Sequence, residues 1–101
     1  MPWWRRERAP GAEPRVEMLS RPGCHLCDQM LAVVREQVDE VRVRDIDAER
    51  AAGDMDQQEH DRWSTEVPVL IVDGEPVARW RIEPGELRLA LSRGRRRGSG
   101  R

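Results

Sequence analysis

Apolar and polar positions follow each other along this chain in blocks of different period. Val16-Glu17-Met18-Leu19 is a short, largely apolar run closed by Ser20-Arg21-Pro22-Gly23, which predicts a buried strand ending in a turn. Cys27, Leu31, Val34 and Val38 then recur at steps of four and three, one face of a helix, with Leu26, Met30 and Val33 beside it. Val41-Arg42-Val43-Arg44 alternates apolar with charged, the period of a half-buried strand. A second helix is expected from Asp47, an N-cap type of residue, to Trp63. Its stripe of Ala48, Ala51, Ala52, Met55 and Trp63 is thin, and Gly53 weakens it. Val69-Leu70-Ile71-Val72 predicts a buried strand, Asp73-Gly74 a two-residue hairpin, and Val77-Ala78-Arg79-Trp80 the returning strand. Pro84 fits the first turn of a last helix that faces Leu87, Ala90 and Leu91 inward. The expected order is βαβαββα, an α/β domain with no internal repeat.

Both ends lack this patterning. Residues 1–14 contain three prolines, a glycine and mixed charge without a period, so a flexible N-terminal tail is expected. Residues 93–101 are arginine, glycine and serine only, which predicts a disordered tail and leaves 15–92 as the folded domain. The chain is 37% charged, yet its 18 basic residues, all arginine, nearly balance 19 acidic ones. A net charge of −1 provides no global field for nucleic acid or an anionic membrane. The acid is uneven: residues 45–66 hold eight carboxylates against Arg50 and Arg62. No apolar run approaches the roughly 20 residues of a membrane span, and the start lacks the apolar stretch of a secretory signal. The expectation is a soluble, cytoplasmic monomer with no specific nucleic-acid or membrane partner. Trp63 and Trp80 each end an apolar stripe and are expected to be packing residues, Trp3 and Trp4 to make a loose hydrophobic contact, and His60 to be exposed.

The candidate chemistry lies in Cys24-His25-Leu26-Cys27. A cysteine pair in a reducing compartment points to catalysis or metal binding rather than a permanent staple. Cysteines three apart at the first turn of a helix can close a disulfide, and the turn places them unequally. Cys24 falls at the open tip, where unpaired N–H groups and the helix dipole stabilise a thiolate; Cys27 heads the buried stripe. That inequality suits thiol–disulfide exchange, with Cys24 as nucleophile and Cys27 as the resolving thiol. Arg21 and His25 flank the pair and are expected to favour the thiolate. A structural zinc site is disfavoured because no second Cys-x-x-Cys exists and His60 is the one soft ligand elsewhere. Haem attachment would require histidine where Asp28 stands, and a ferredoxin-like metal carrier would require two successive strands where a helix intervenes.

With these residues in view the chain resembles the glutaredoxin-like proteins of the thioredoxin fold. The strand at 16–19 followed by Arg-Pro-Gly-Cys-His-Leu-Cys, the Val67-Pro68 pair before the third strand, and the Asp73-Gly74 hairpin carry the likeness across residues 15–92. It implies a mixed four-stranded sheet flanked by helices. It also implies a cis bond at Val67-Pro68, where the base rate for X-Pro bonds alone favours trans. Arg21, His25, Val67 and Pro68 are then the substrate-binding residues, and the backbone before Pro68 is expected to be extended and open to a substrate strand. Two departures stand out. Glu66 replaces the threonine typical of glutathione-using members, and Arg79-Trp80-Arg81-Ile82-Glu83 replaces their Gly-Gly and acidic residue. A carboxylate there repels glutathione, although Arg21, Arg79 or Arg81 offer countercharges. The expectation is a dithiol oxidoreductase acting on protein or small-molecule disulfides, with no bound cofactor or metal. Its electrons are expected from a thioredoxin-reductase-like dithiol system in preference to glutathione. The alternatives are a metal-binding or metal-delivery module using the same thiolates, or a redox-inert interaction domain.

Overall fold

A computed structural model of the chain describes residues 15–99. The elements are β1 (Val16–Ser20), α1 (His25–Arg35), β2 (Arg42–Asp45), α2 (Ile46–Ala52), α3 (Gln57–Ser64), β3 (Val69–Val72), β4 (Glu75–Arg79) and α4 (Pro84–Ser99). The sheet order is β2-β1-β3-β4. β1 runs parallel to β2, with Leu19 opposite Arg44, and antiparallel to β3, with Leu19 opposite Val69. The β3–β4 hairpin turns on Asp73 (φ 52°) and Gly74 (φ 84°), the paired left-handed geometry that matches strand twist.

The period-two pattern of the central strands splits the core in two. Val16 and Met18 of β1, with Leu70 and Val72 of β3, bury one face against Cys27, Met30 and Val34 of α1 and Leu87 and Ala90 of α4. Leu19 and Val69 point the other way and meet Ile46 and Met55, with Trp63 packed alongside. Edge strand β4 carries Pro76, at a sheet edge where a missing N–H is tolerated.

Two expectations need correction. The single helix from Asp47 to Trp63 is two helices. Gly53 sits at φ 84° as a left-handed cap, Asp54 donates its N–H to the Glu49 carbonyl at 2.8 Å, and the chain reverses. Met55 drops into the second core cluster at the break, and Asp56 restarts the helix by accepting the Glu59 N–H at 2.8 Å. The N-cap of α2 is Asp45 rather than Asp47. Its carboxylate takes the N–H groups of Asp47 and Ala48 at 2.9 and 3.0 Å, which leaves the Asp47 side chain for other partners. The observed order is therefore βαβααββα. The last helix, α4, runs from Pro84 to Ser99. The N-terminal segment with Trp3 and Trp4 lies outside the described residues.

Candidate functional site

The first turn of α1 is built by the residues before it. Gly23 adopts φ 72°, turning the chain so that Cys24 (φ −99°, ψ 108°) becomes the N-cap of the helix. The Cys24 sulfur accepts the backbone N–H of Cys27 at 3.1 Å, the bond that an Asp or Ser oxygen makes in an ordinary cap. Cys24 and Cys27 are joined as a disulfide with a Cα–Cα distance of 5.2 Å. Cys24 is half-buried, whereas Cys27 is only 2% exposed and belongs to the core cluster of β1, α1 and α4. The Cys24 sulfur thus sits at the N-terminal tip of α1, the positive end of the helix dipole.

The other predicted site residues divide. His25 is exposed on the same turn. Arg21 is held inward: its guanidinium pairs with Asp47 at 3.2 Å and donates to the Ser64 carbonyl at 3.3 Å. His60, expected to be exposed, is half-buried and places Nε2 2.7 Å from Asp47 Oδ1. Asp47 therefore sits between Arg21 and His60. The hydrogen bond with His60, reinforced by Arg21 against a desolvation penalty, holds its carboxyl below the usual range. The cluster fastens the loop that leads into Cys24 to the start of α2 and the end of α3.

The Val67–Pro68 peptide bond is cis, and Pro68 is fully buried. Val67 packs against both core clusters. The backbone N–H groups ahead of Pro68 already have partners within the protein. The N–H groups of Glu66 and Val67 both donate to the Trp63 carbonyl, at 2.9 and 3.0 Å, so a turn holds them. Glu66 differs from expectation as well, since Arg79 Nε lies 2.6 Å from its carboxylate. Its charge is compensated within the protein. Arg81 faces Glu83 in the same way, so each arginine named as a countercharge for a ligand has a carboxylate partner already.

The pattern of the sequence did not identify two residues here. Trp80 is not a packing residue: it lies one position beyond β4, at φ 69°, with 52% of its surface exposed. Its indole N–H donates to the Thr65 carbonyl at 3.2 Å, and its backbone N–H to the Pro68 carbonyl at 2.8 Å. Leu26, between the two cysteines, is 45% exposed. Together they border a groove of about 440 Å³ that also takes in Met30, Val33, Ile82 and Pro84. Leu26 was detectable in principle, because one residue before Cys27 is a rotation of roughly 100° away from the buried stripe. Among the described residues, no group of three or more His, Cys, Asp or Glu gathers to hold a metal ion, and no helix is long and apolar enough to cross a membrane.

Comparison with known proteins places this geometry. Residues 15–92 match the family model described as glutaredoxin-like domain (DUF836). The fold is similar to the crystal structure of the holo form of glutaredoxin C1 from Populus tremula x tremuloides. The two superpose with a TM-score of 0.50 at 12% identity, covering 93% of this chain and 90% of that one. No curated protein matches the chain.

Proposed function

The chain belongs to the glutaredoxin-like (DUF836) family, and from that premise we propose that it is a thiol–disulfide oxidoreductase working through Cys24 and Cys27. The observation that carries the reading is the unequal placement of two bonded sulfurs on one helical turn, Cys24 half-buried at the N-cap and Cys27 in the core. In the reduced form the Cys24 thiolate attacks one sulfur of a substrate disulfide. A Cys24–substrate mixed disulfide forms, and the other substrate sulfur leaves as a thiolate that takes up a proton. Cys27 then loses its proton and attacks the Cys24 sulfur. The second substrate thiol departs, and the Cys24–Cys27 disulfide closes. Two electrons have passed to the substrate, and an external dithiol restores them by the reverse exchange.

The electron donor is proposed to be a dithiol protein, such as a flavin-dependent reductase of the thioredoxin-reductase class, in preference to glutathione. The support is the commitment of Arg21, Arg79 and Arg81 to internal carboxylates, which leaves the carboxylates of glutathione little to pair with. Intact-mass measurement with alkylation tests the dithiol reaction. The oxidised protein gains two hydrogen atoms (two electrons and two protons) from dithiothreitol, and iodoacetamide at low pH modifies Cys24 before Cys27. Cys24→Ser abolishes exchange, whereas Cys27→Ser accumulates mixed disulfide. Faster alkylation of Cys27 would reverse the assigned roles, and unchanged exchange in Cys24→Ser would end the proposal.

A further inference from the structure

The groove beside the dithiol has features that the exchange reaction alone does not use. Leu26, Met30 and Val33 of α1 line it together with Trp80, Ile82 and Pro84; Leu26 and Trp80 are exposed, Met30 and Ile82 buried. A tryptophan at φ 69° is an uncommon backbone state for a residue with a Cβ, and such strain is retained chiefly at functional positions. Half of the residue's surface is nevertheless given to solvent, so core packing does not explain it. The hydrogen bonds from Trp80 to Thr65 and Pro68 fix the ring without covering it.

The occupant follows from continuity with the reacting sulfur. Leu26 stands between Cys24 and Cys27 in the first turn of α1 and also lines the groove, so the groove begins on the turn that carries the dithiol. An extended polypeptide advances about 3.3 Å per residue, which places side chains within about three positions of its cysteine over this surface. A volume near 440 Å³ is at the small end of binding clefts and accepts one or two side chains rather than a folded element. Arg81 and Glu83, which also line it, neutralise each other, so the groove offers no net charge to select an ionic ligand. We infer that Trp80 and Leu26 form a specificity site for a polypeptide that carries a large apolar side chain close to its reacting cysteine. The choice of occupant rests on the dithiol reading; the groove's preference for apolar chains is measurable without any turnover.

The test is titration of two acetylated pentapeptides into the oxidised protein, followed by NMR of the tryptophan indole N–H signals. Both have serine in place of cysteine at the centre, and they carry either leucine or asparagine at both second neighbours. The leucine peptide is expected to bind about tenfold more tightly and to shift the Trp80 signal. Trp80→Gly, which suits the left-handed backbone and so keeps the fold, is expected to erase that difference. Trp80→Phe, which keeps a ring but loses the bond to Thr65, retains most of it. Equal binding of the two peptides, or loss in Trp80→Phe as complete as in Trp80→Gly, overturns the inference. The cysteine forms of the peptides, presented as mixed disulfides, then give the ratio of kcat/KM values. A wild-type protein that binds the leucine peptide but reduces neither mixed disulfide refutes the dithiol reading and leaves the groove assigned.

Discussion

Two substitutions at the Glu66–Arg79 ion pair are expected to shift the charge beside Pro68 in opposite directions, and glutathione-dependent turnover is the property chosen to report it. The pair is 2.6 Å long and about a third exposed on each side, so it contributes no more than about 1 kcal/mol to stability. Its electrostatic effect on a ligand is easier to see. Glu66→Thr changes the local charge from nearly zero to +1 by freeing the guanidinium, whereas Arg79→Gln changes it to −1. A ligand carboxylate about 5–6 Å away, in a medium between bulk water and an effective dielectric of 20, gains or loses roughly 1 kcal/mol, or about fivefold in affinity. The assay is glutathione-dependent reduction of hydroxyethyl disulfide over a glutathione series, at low and at high ionic strength. The expected order of KM is Arg79→Gln above wild type above Glu66→Thr, with about 25-fold between the extremes at low salt. At 1 M salt, where the Debye length is about 3 Å, the spread should shrink sharply. Movement of both variants in the same direction, or a spread indifferent to salt, would refute the reasoning.

Two predictions concern the scaffold. Glu49 is bonded through both oxygens to Arg44 at 2.8 and 2.9 Å, and that hydrogen-bonded pair holds its carboxyl below the ordinary 4.5. Because the folded state binds the proton less readily than the unfolded chain, the contribution is present above pH 4.5 and disappears as the pH falls through the folded value. Glu49→Gln should lower Tm by about 4–8 °C near pH 7, the equivalent of about 1 kcal/mol, and the gap should close as the pH is taken progressively below 4.5 in melting curves; a gap constant with pH would exclude the pair as its source. Gly53→Ala should cost about 1–2 kcal/mol through the left-handed backbone alone, since an added Cβ meets nothing within 4 Å. Gly53→Asn should cost less by denaturant titration, and a larger loss for Asn than for Ala would point to an unseen clash.

The elements that the sequence made legible are those whose signals are local. β1, α1, β3 and the Asp73-Gly74 hairpin each carry their period or turn chemistry within a few residues, and each stands where that pattern put it. The broken second helix was harder, because alanines on both sides of Gly53 continue a plausible stripe. The break was nevertheless encoded: glycine at a left-handed cap, then Asp56 followed three residues later by Glu59, is an end-and-restart signature. Trp80 was misplaced for another reason. The β3–β4 register shifts between Leu70 and Ile71, so the alternation counted from Val77 does not survive to position 80. A shift of register lies in the pairing of two strands, and one strand's pattern does not contain it.

The carboxylates between residues 45 and 66 illustrate the same limit at the site. Read along the chain they are an acidic surface; folded, they become fastenings with particular partners. Asp45 and Asp56 cap helices, Asp47 joins Arg21 to His60, Glu49 holds Arg44 across the edge of the sheet, and Glu66 neutralises Arg79. Arg21 and Asp47 are 26 residues apart, a separation that only the parallel β1–β2 pairing, with Ser20 opposite Asp45, brings together. That use of charge has a consequence for recognition. Arg21, Arg79 and Arg81, which sequence alone offered as anchors for an anionic thiol, are spent on the protein's own carboxylates. If the inferred site at Leu26 and Trp80 sets specificity, the surface beside Cys24 discriminates by apolar contact and shape, which suits a polypeptide better than a small anionic thiol.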